Sequence, residues 1–132
     1  MSTGEKKYET TTEHFELFKT EAQRFIDLFG LWDWQVDFHH RFLENCRANC
    51  RFNCQGKQAS LSLATEWSEY DVLSEATISR SAFHEVCELL LADMYGAATD
   101  IDMAGRIREE RLERASHAII RRLENVVLPL LP

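Results

Sequence analysis

The segment HEVCE at residues 84 to 88 holds the side chains best suited to metal chemistry. On a helix, His84 and Glu88 project from neighbouring turns of one face, and Glu85 lies about 100° around the axis from His84. In metallohydrolases with the motif H-E-x-x-H, the first and last positions bind the metal and the intervening glutamate acts as general base. A carboxylate is also a zinc ligand. The motif therefore predicts Glu85 as the catalytic residue and His84 and Glu88 as ligands of Zn²⁺; the alternative is an ordinary amphipathic helix on which His84 pairs with Glu88.

A second pair with the same spacing, Glu113 and His117, lies in the last predicted helix. At 1.5 Å per residue, His84 lies about 16 Å before Tyr95, and His117 about 20 Å after Ala104. An antiparallel helix pair would place the two histidines at similar heights, with His117 as third metal ligand and Glu113 as a substitute or supporting ligand. A helical wheel instead places His117 about 160° and Glu113 about 120° from the centre of the apolar stripe, which favours surface positions. Both interpretations stay open on the spacing alone.

Three cysteines, Cys46, Cys50 and Cys54, recur every four residues in NCRANCRFNC. In a strand they would lie about 13 Å apart along one face, which is too far to share an ion with Zn–S bonds of about 2.3 Å. In a helix two of them could share a metal, and a redox or iron–sulfur role would require that conformation. The asparagines and the QGK turn signal favour a strand whose cysteines are small, inward-facing apolar residues.

The predicted elements around these residues alternate between helix and sheet. Apolar residues at intervals of three and four predict a helix over about residues 11 to 29, with Thr10 and Glu13 at capping-box spacing and Gly30 at its end. The alternation in WDWQVDF predicts a strand near residues 32 to 39, and QASLSLAT predicts a second strand in a hairpin with the cysteine segment. In that first strand, the residues expected to share one face are Trp32, Trp34, Val36 and Phe38.

The helix that carries His84 follows, is broken by GAATDIDMAG, and leads to a last helix that runs from about residue 104 to Pro129. The predicted fold class is therefore α+β. It consists of an N-terminal helix, a small antiparallel sheet of about three strands, and an antiparallel pair of helices carrying H-E-x-x-E.

Length and composition indicate one domain. We expect a flexible N-terminal lead over residues 1 to 10 and a single domain over residues 11 to 132. The first twelve residues lack the apolar region of a secretory signal, and no apolar run approaches the roughly 18 residues of a membrane span, so we expect a cytoplasmic protein without a membrane partner. The net charge of −7 argues against a nucleic-acid partner.

The segment AFHEVCELLL, followed by ASHAIIRRLENVV, resembles small phage- and prophage-encoded proteins described as metallopeptidase-like, with a zincin-like fold and a distant similarity to SprT-type proteases. The resemblance extends back through WDWQVDF and GKQASLSLATEW, and covers about residues 30 to 127. It implies metal ligands at His84 and Glu88, a general base at Glu85, and a further ligand from ASHAIIRRLEN. Members of this family often carry Glu-His where this chain has Ser116-His117. If the third ligand is the glutamate, Ser116 does not replace it; if it is the histidine, His117 is intact.

Two functions follow as expectations. In the first, the protein is a zinc-dependent metallopeptidase in which Glu85 takes a proton from the attacking water and passes it to the leaving amine of a protein or peptide substrate. In the second, it is a catalytically inactive zincin-like domain that binds a partner protein in a phage or prophage context, in the host cell cytoplasm. The missing second histidine, Ser116 and the apolar tail VVLPLLP favour this alternative, with a homodimer formed through the last helix and tail.

Overall fold

A computed structural model describes residues 7 to 100 and 104 to 130. The described residues form four α-helices and two small sheets, which confirms the α+β class. In chain order the elements are β1 (Lys7–Glu9), α1 (Thr12–Phe29), β2 (Gln35–Arg41), β3 (Ala48–Asn53), β4 (Gln58–Ala64), β5 (Glu66–Ser68), α2 (Glu75–Leu90), α3 (Ala92–Thr99) and α4 (Gly105–Val127). A short 3-10 turn, Leu128–Leu130, follows α4.

The N-terminal cap of α1 differs from the prediction. Thr11, not Thr10, is the cap: its side chain accepts a hydrogen bond from the backbone N–H of His14, and His14 Nδ1 accepts one from the backbone N–H of Thr11 at 2.9 Å. Thr10 is buried, and its hydroxyl donates to the carbonyl of Ala64 at 2.7 Å. The predicted pairing of Thr10 with Glu13 was wrong because Thr10 is used to attach the chain to the sheet.

The apolar face of α1 and its C-terminal glycine are as the sequence predicted. Gly30 adopts φ 67°, the left-handed conformation that glycine enters without steric cost, and its N–H bonds to the last turn of the helix. The buried side chains recur at three and four residues and pack mainly toward α2. They are Phe18, Ala22, Ile26 and Phe29.

The main sheet has the order β2-β4-β3, which differs from the predicted antiparallel arrangement. β3 and β4 form the expected antiparallel hairpin, but β2 pairs in parallel with β4, from Gln35 opposite Gln58 to Arg41 opposite Ala64. The chain between β2 and β3 therefore crosses the end of β4. This order places β4, the most apolar of the three strands, at the centre of the sheet, where both of its edges are paired and six of its seven residues are buried or half-buried.

The first strand of that sheet also begins later than predicted. Trp32 precedes β2 and is 74% exposed, with its indole N–H donating to Asp27 Oδ1 at 3.2 Å. Trp34 is buried, and Val36 and Phe38 are half-buried. The predicted apolar face is therefore confirmed for three residues, while Trp32 lies outside it.

A second, two-stranded sheet pairs β1 with β5 in antiparallel register. Residues 7 to 9, which we expected in a flexible lead, thus form a strand, and residues 1 to 6 lie outside the described part of the chain. The backbone N–H of Thr10 donates to the carbonyl of Thr65 at 2.9 Å and continues this pairing. The sheets of the described chain consequently contain more strands than predicted.

The helix that carries His84 ends earlier than the glycine signal suggested. α2 stops at Leu90, and the separate helix α3 runs through Gly96. Gly96 serves close packing instead of helix termination, because a Cβ built there would lie 2.9 Å from Cys54 Sγ. Cys54 itself donates to the carbonyl of Ala92 at 3.4 Å, so the end of the β3–β4 hairpin lies directly against α3.

The predicted antiparallel pairing of α2 with the last helix was wrong. α2 packs mainly against α1 and β3, while α4 packs mainly against α3 and more lightly against α1. Arg122 of α4 lies 3.5 Å from Asp33, which joins α4 to the loop before β2. Among the described residues, α4 therefore does not form an antiparallel pair with the helix that carries the motif.

The core lies between α1, α2 and the main sheet. Its largest fully buried side chains include Trp67, Phe18, Leu31, Leu61, Leu63 and Ile78. Among the residues described here, no helix combines the length and apolar character needed to cross a membrane.

Candidate metal site

Helix α2 presents the H-E-x-x-E residues at the border between core and solvent. A capping box fixes its start: the Ser74 side chain accepts from the backbone N–H of Thr77, and Thr77 Oγ1 accepts from the backbone N–H of Ser74 at 2.9 Å. The apolar face then packs toward α1 and the sheet, with Ile78, Ala82, Val86 and Leu89 buried. Since this face fixes the rotation of the helix, the motif residues are held at its edge.

The three motif residues lie together. One ligand atom from each of His84, Glu85 and Glu88 lies within 4.8 Å of the other two. His84 Nε2 is 3.5 Å from Glu88 Oε1, and these side chains are 71% and 47% exposed. Glu85 is only 4% exposed. The exposed pair therefore stands at the opening of the site, with the buried carboxyl of Glu85 behind it.

Burial gives Glu85 unusual acid–base properties. Desolvation first, then the charge of Glu88 and a side-chain hydrogen bond with that residue, raise the pKa of Glu85 from 4.5 to about 8. Within the described residues, no cationic side chain forms an ion pair with Glu85. A carboxyl near pKa 8 can hold a proton at neutral pH and release it when a cation approaches, which is the behaviour expected of a general base at a metal site.

A cavity of about 520 Å³ opens in front of these residues. One wall belongs to α2 and consists of Arg80, Ser81, His84, Glu85 and Glu88. The other wall is the stretch from residue 45 to residue 50, which contains the start of β3 and the turn before it. The motif therefore lies in a cleft between a helix and a strand.

Two of the predicted cysteines line this cleft, and sequence reasoning did not place them there. The segment is a strand from Ala48 to Asn53, which confirms that interpretation and removes the helical arrangement that a redox or iron–sulfur role required. Cys50 and Cys54 are half-buried, but Cys46 is exposed instead of facing inward, because it precedes the strand. Only Cys46 and Cys50 line the cleft, so the three cysteines do not act as one group.

The electrostatics of the two cleft cysteines differ. Burial first, then Glu85 and Glu88, raise the pKa of Cys50 to about 12. Burial and then Glu85 alone raise the pKa of Cys46. Both thiols are therefore neutral at neutral pH in the absence of a cation, and Cys50 is influenced by both carboxyl groups of the motif.

Arg80 was also missed, although its signal was present in the sequence. It lies four residues before His84 and eight before Glu88, so the three side chains follow one another along a single face of α2. Arg80 is exposed, and no ion pair of Arg80 is found among the described residues. The cleft thus carries a cation beside its acidic centre.

The structure does not bring the residues of the last helix to this cleft. Glu113 and His117 are exposed, as the helical wheel indicated, and Ser116 is half-buried. Glu113 and His117 line a separate, shallower cavity of about 340 Å³ on α4. Among the described residues, the single cluster of metal-ligating side chains contains His84, Glu85 and Glu88 and neither residue of α4.

The donor atoms of α2 suit a small transition-metal ion. Two ligands bound tetrahedrally to one ion at about 2.0 to 2.2 Å lie about 3.3 to 3.6 Å from each other. The separation of 3.5 Å between His84 Nε2 and Glu88 Oε1 meets that requirement. One imidazole nitrogen and one carboxylate oxygen are also donors that zinc accepts, so the residues fit the predicted metal.

Comparison with protein-family models finds no family that matches the chain, and comparisons with curated proteins and solved structures find no significant match.

Proposed function

We propose that the protein is a zinc-dependent hydrolase that cleaves peptide bonds, with its active site in the cleft between α2 and β3. The observation that carries this proposal is the 3.5 Å separation of His84 Nε2 and Glu88 Oε1 above a carboxyl that is 4% exposed. His84 and Glu88 would hold the ion. When bound, zinc supplies Lewis acidity that polarises the carbonyl group of the substrate.

Glu85 carries the proton chemistry. In its ionised form it takes a proton from the attacking water, whose oxygen forms a bond to the carbonyl carbon of the substrate. The C–N bond then breaks, and the protonated Glu85 gives its proton to the leaving amine. The low exposure of Glu85 supports this role, because a buried carboxyl with a raised pKa accepts and returns a proton near neutral pH.

The zincin-like fold and the phage-type relationship belong to the same proposal and rest on the resemblance of AFHEVCELLL and ASHAIIRRLENVV to that family. The order of helix, small sheet, motif helix and closing helix supports it. His117 lines a cavity on α4 that is separate from the cleft of His84 and Glu88. This position argues against His117 as the further metal ligand that the family resemblance implied.

Elemental metal analysis tests the proposal directly. The protein should be purified without a metal-affinity tag and analysed by inductively coupled plasma mass spectrometry before and after dialysis against zinc. We expect about one equivalent of zinc, lost in His84→Ala and retained in His117→Ala. Zinc far below one equivalent that does not increase after dialysis would contradict the proposal.

A second candidate function is a catalytically inactive domain that binds a partner protein or a second copy. The exposed apolar side chains near the C terminus favour it: Ile120 is 47% exposed and Leu130 74% exposed. Light scattering after size exclusion, with the full chain and with residues 128 to 132 removed, measures the oligomeric state. A monomer in both cases, together with a peptidase activity lost in Glu85→Gln, rejects this candidate.

A further inference from the structure

The proposed metal site lacks a ligand. A catalytic zinc ion takes three protein ligands and keeps one position open. α2 supplies His84 and Glu88, and Glu85 is reserved for proton transfer. The expected third ligand, His117, lines a different cavity. If Glu85 serves in proton transfer, the remaining candidates for a third ligand lie on the opposite wall of the cleft.

The opposite wall offers few donors. It consists of Asn45, Cys46, Arg47, Ala48, Asn49 and Cys50. Of these side chains, only the cysteines provide a donor that zinc prefers, because amide oxygens suit harder ions such as Ca²⁺ and the alanine and arginine side chains are not ligands. The choice therefore lies between Cys46 and Cys50.

Position separates the two cysteines. Cys50 lies within β3, opposite Leu61 of the central strand β4, and packs partly against the core, so its backbone is held by the pairing of β3 with β4. Cys46 is exposed and precedes the strand, next to Asn45, whose φ is 57°. Cys50 is therefore the cysteine of this wall that is half-buried and held on a paired strand.

We propose that Cys50 is the third protein ligand of the ion held by His84 and Glu88. This inference rests on the proposed function and names the donor set of the same site: one imidazole nitrogen, one carboxylate oxygen and one thiolate sulfur. On binding, the thiol loses its proton to solvent and the sulfur bonds to the ion, with no change of oxidation state. The soft sulfur donor selects zinc, cadmium or cobalt over magnesium and calcium.

The position of the Cys50 sulfur sets a condition on this role. Among the described residues, the cluster of close ligand atoms contains His84, Glu85 and Glu88 and no cysteine. Ligation by Cys50 therefore requires its side chain to turn further into the cleft that it lines together with His84 and Glu88. A bound divalent ion supplies the reason for that change, because it deprotonates a thiol that coordinates it.

Cobalt substitution tests the assignment without relying on activity. Co²⁺ is titrated into the metal-free full-length protein, and visible d–d bands report binding while a near-ultraviolet sulfur-to-cobalt charge-transfer band reports a thiolate ligand. We expect both signals in the wild type and in the matched control Cys46→Ser. In Cys50→Ser we expect the charge-transfer band to disappear and the affinity for cobalt to fall by at least about 10-fold. Thermal melting of both variants shows that they fold.

The outcomes separate this inference from the proposed function. Visible cobalt bands without a charge-transfer band in the wild type would overturn the role of Cys50 and leave the metal site standing. A band that survives Cys50→Ser and is lost in Cys46→Ser would also overturn the assignment, in favour of the other cysteine. No cobalt binding at all would overturn both. A second readout is the number of thiols that react with a disulfide reagent: zinc should protect one thiol in the wild type and none in Cys50→Ser.

Discussion

Helices α2 and α4 carry the same kind of residue pair in very different surroundings. Each has a histidine and a glutamate four residues apart, His84 with Glu88 and Glu113 with His117. On α2 the pair opens into a cleft walled by β3, with the buried Glu85 beside it. On α4 the pair is exposed on a shallow surface lined only by residues of that helix.

The difference shows what a second element adds to a helical motif. A strand beside the helix removes water from one carboxyl, which raises the pKa of Glu85, and brings thiol groups to the opposite wall. Without such a wall, i and i+4 side chains remain solvated and contribute only the small energies of a surface pair. Spacing alone therefore does not distinguish a site from a charged face.

The largest expected contrast is in catalysis. Glu85→Gln should lower the rate of peptide hydrolysis by about 10²- to 10⁴-fold, because it removes the general base. Glu113→Gln, the matched change on α4, should leave the rate unchanged. Cleavage of a fluorogenic peptide library by the zinc-loaded variants measures both. Equal losses in the two variants would show that α4 takes part in the chemistry.

Substitution of the two histidines should change the affinity for zinc to very different extents. His84→Ala is expected to weaken zinc binding by more than about 100-fold, since loss of a direct ligand costs more than loss of a supporting group. His117→Ala should bind zinc as the wild type does. Competition with a chromophoric chelator gives both constants. A loss of affinity in His117→Ala would require α4 to reach the cleft.

In the metal-free protein, Glu85 should make the free energy of unfolding depend on pH. The pKa of Glu85 is about 8 in the folded protein against an ordinary value of 4.5, so folding favours its neutral form. Its contribution to stability is therefore complete below about pH 4.5 and is lost as the pH rises through 8. Glu85→Gln should remove this dependence and stabilise the protein above pH 8, by a few kcal/mol at most, since one pKa unit corresponds to about 1.4 kcal/mol.

Urea unfolding in the presence of a chelator, at pH 5 and pH 9, measures this effect. Glu113→Gln, the matched change at an exposed position of α4, serves as the control. If Glu85→Gln were no more stable than the wild type at pH 9, Glu85 would have to be hydrated in solution.

A smaller effect tests the packing of α3 against the end of the β3–β4 hairpin. In Gly96→Ala the new Cβ would lie 2.9 Å from Cys54 Sγ, so α3 or the hairpin must shift. We expect a loss of about 1 kcal/mol in the free energy of unfolding, at the lower end of overpacking costs. The loss should be smaller in a Cys54→Ala background, which removes the clashing sulfur. Zinc affinity should stay unchanged in both, because the cleft lies elsewhere.

The local elements of the fold could be predicted from sequence, and their mutual arrangement could not. The helix that ends at Gly30 and the β3–β4 hairpin follow from periodicity and turn residues, which are local signals. The parallel pairing of β2 with β4 depends on which strand is best buried at the centre of the sheet, a competition among strands that no single segment reveals. Gly96 wrongly suggested the end of a helix for the same reason. Its role is close packing against Cys54, which is distant in the sequence.

In the candidate site, too, the local part could be predicted from the sequence and the part contributed by a second element could not. His84, Glu85 and Glu88 could be predicted because one turn of helix fixes their relative positions. The proposed third ligand could not, since it depends on which strand lies against α2. The predicted strand correctly implied that Cys50 does not share an ion with Cys46 or Cys54. It could not show that Cys50 lines the same cleft as His84.

The parallel pairing of β2 with β4 also bears on the order in which the sheet assembles. β3 and β4 are neighbours in the chain and can form their hairpin early, whereas β2 must join β4 after the intervening segment has crossed over. Pulsed hydrogen exchange during refolding should therefore protect Cys50 and Leu61 before Val36. In that sequence of events, the wall of the cleft forms while the sheet is still incomplete. Completion of the sheet by β2 is then the later and slower step.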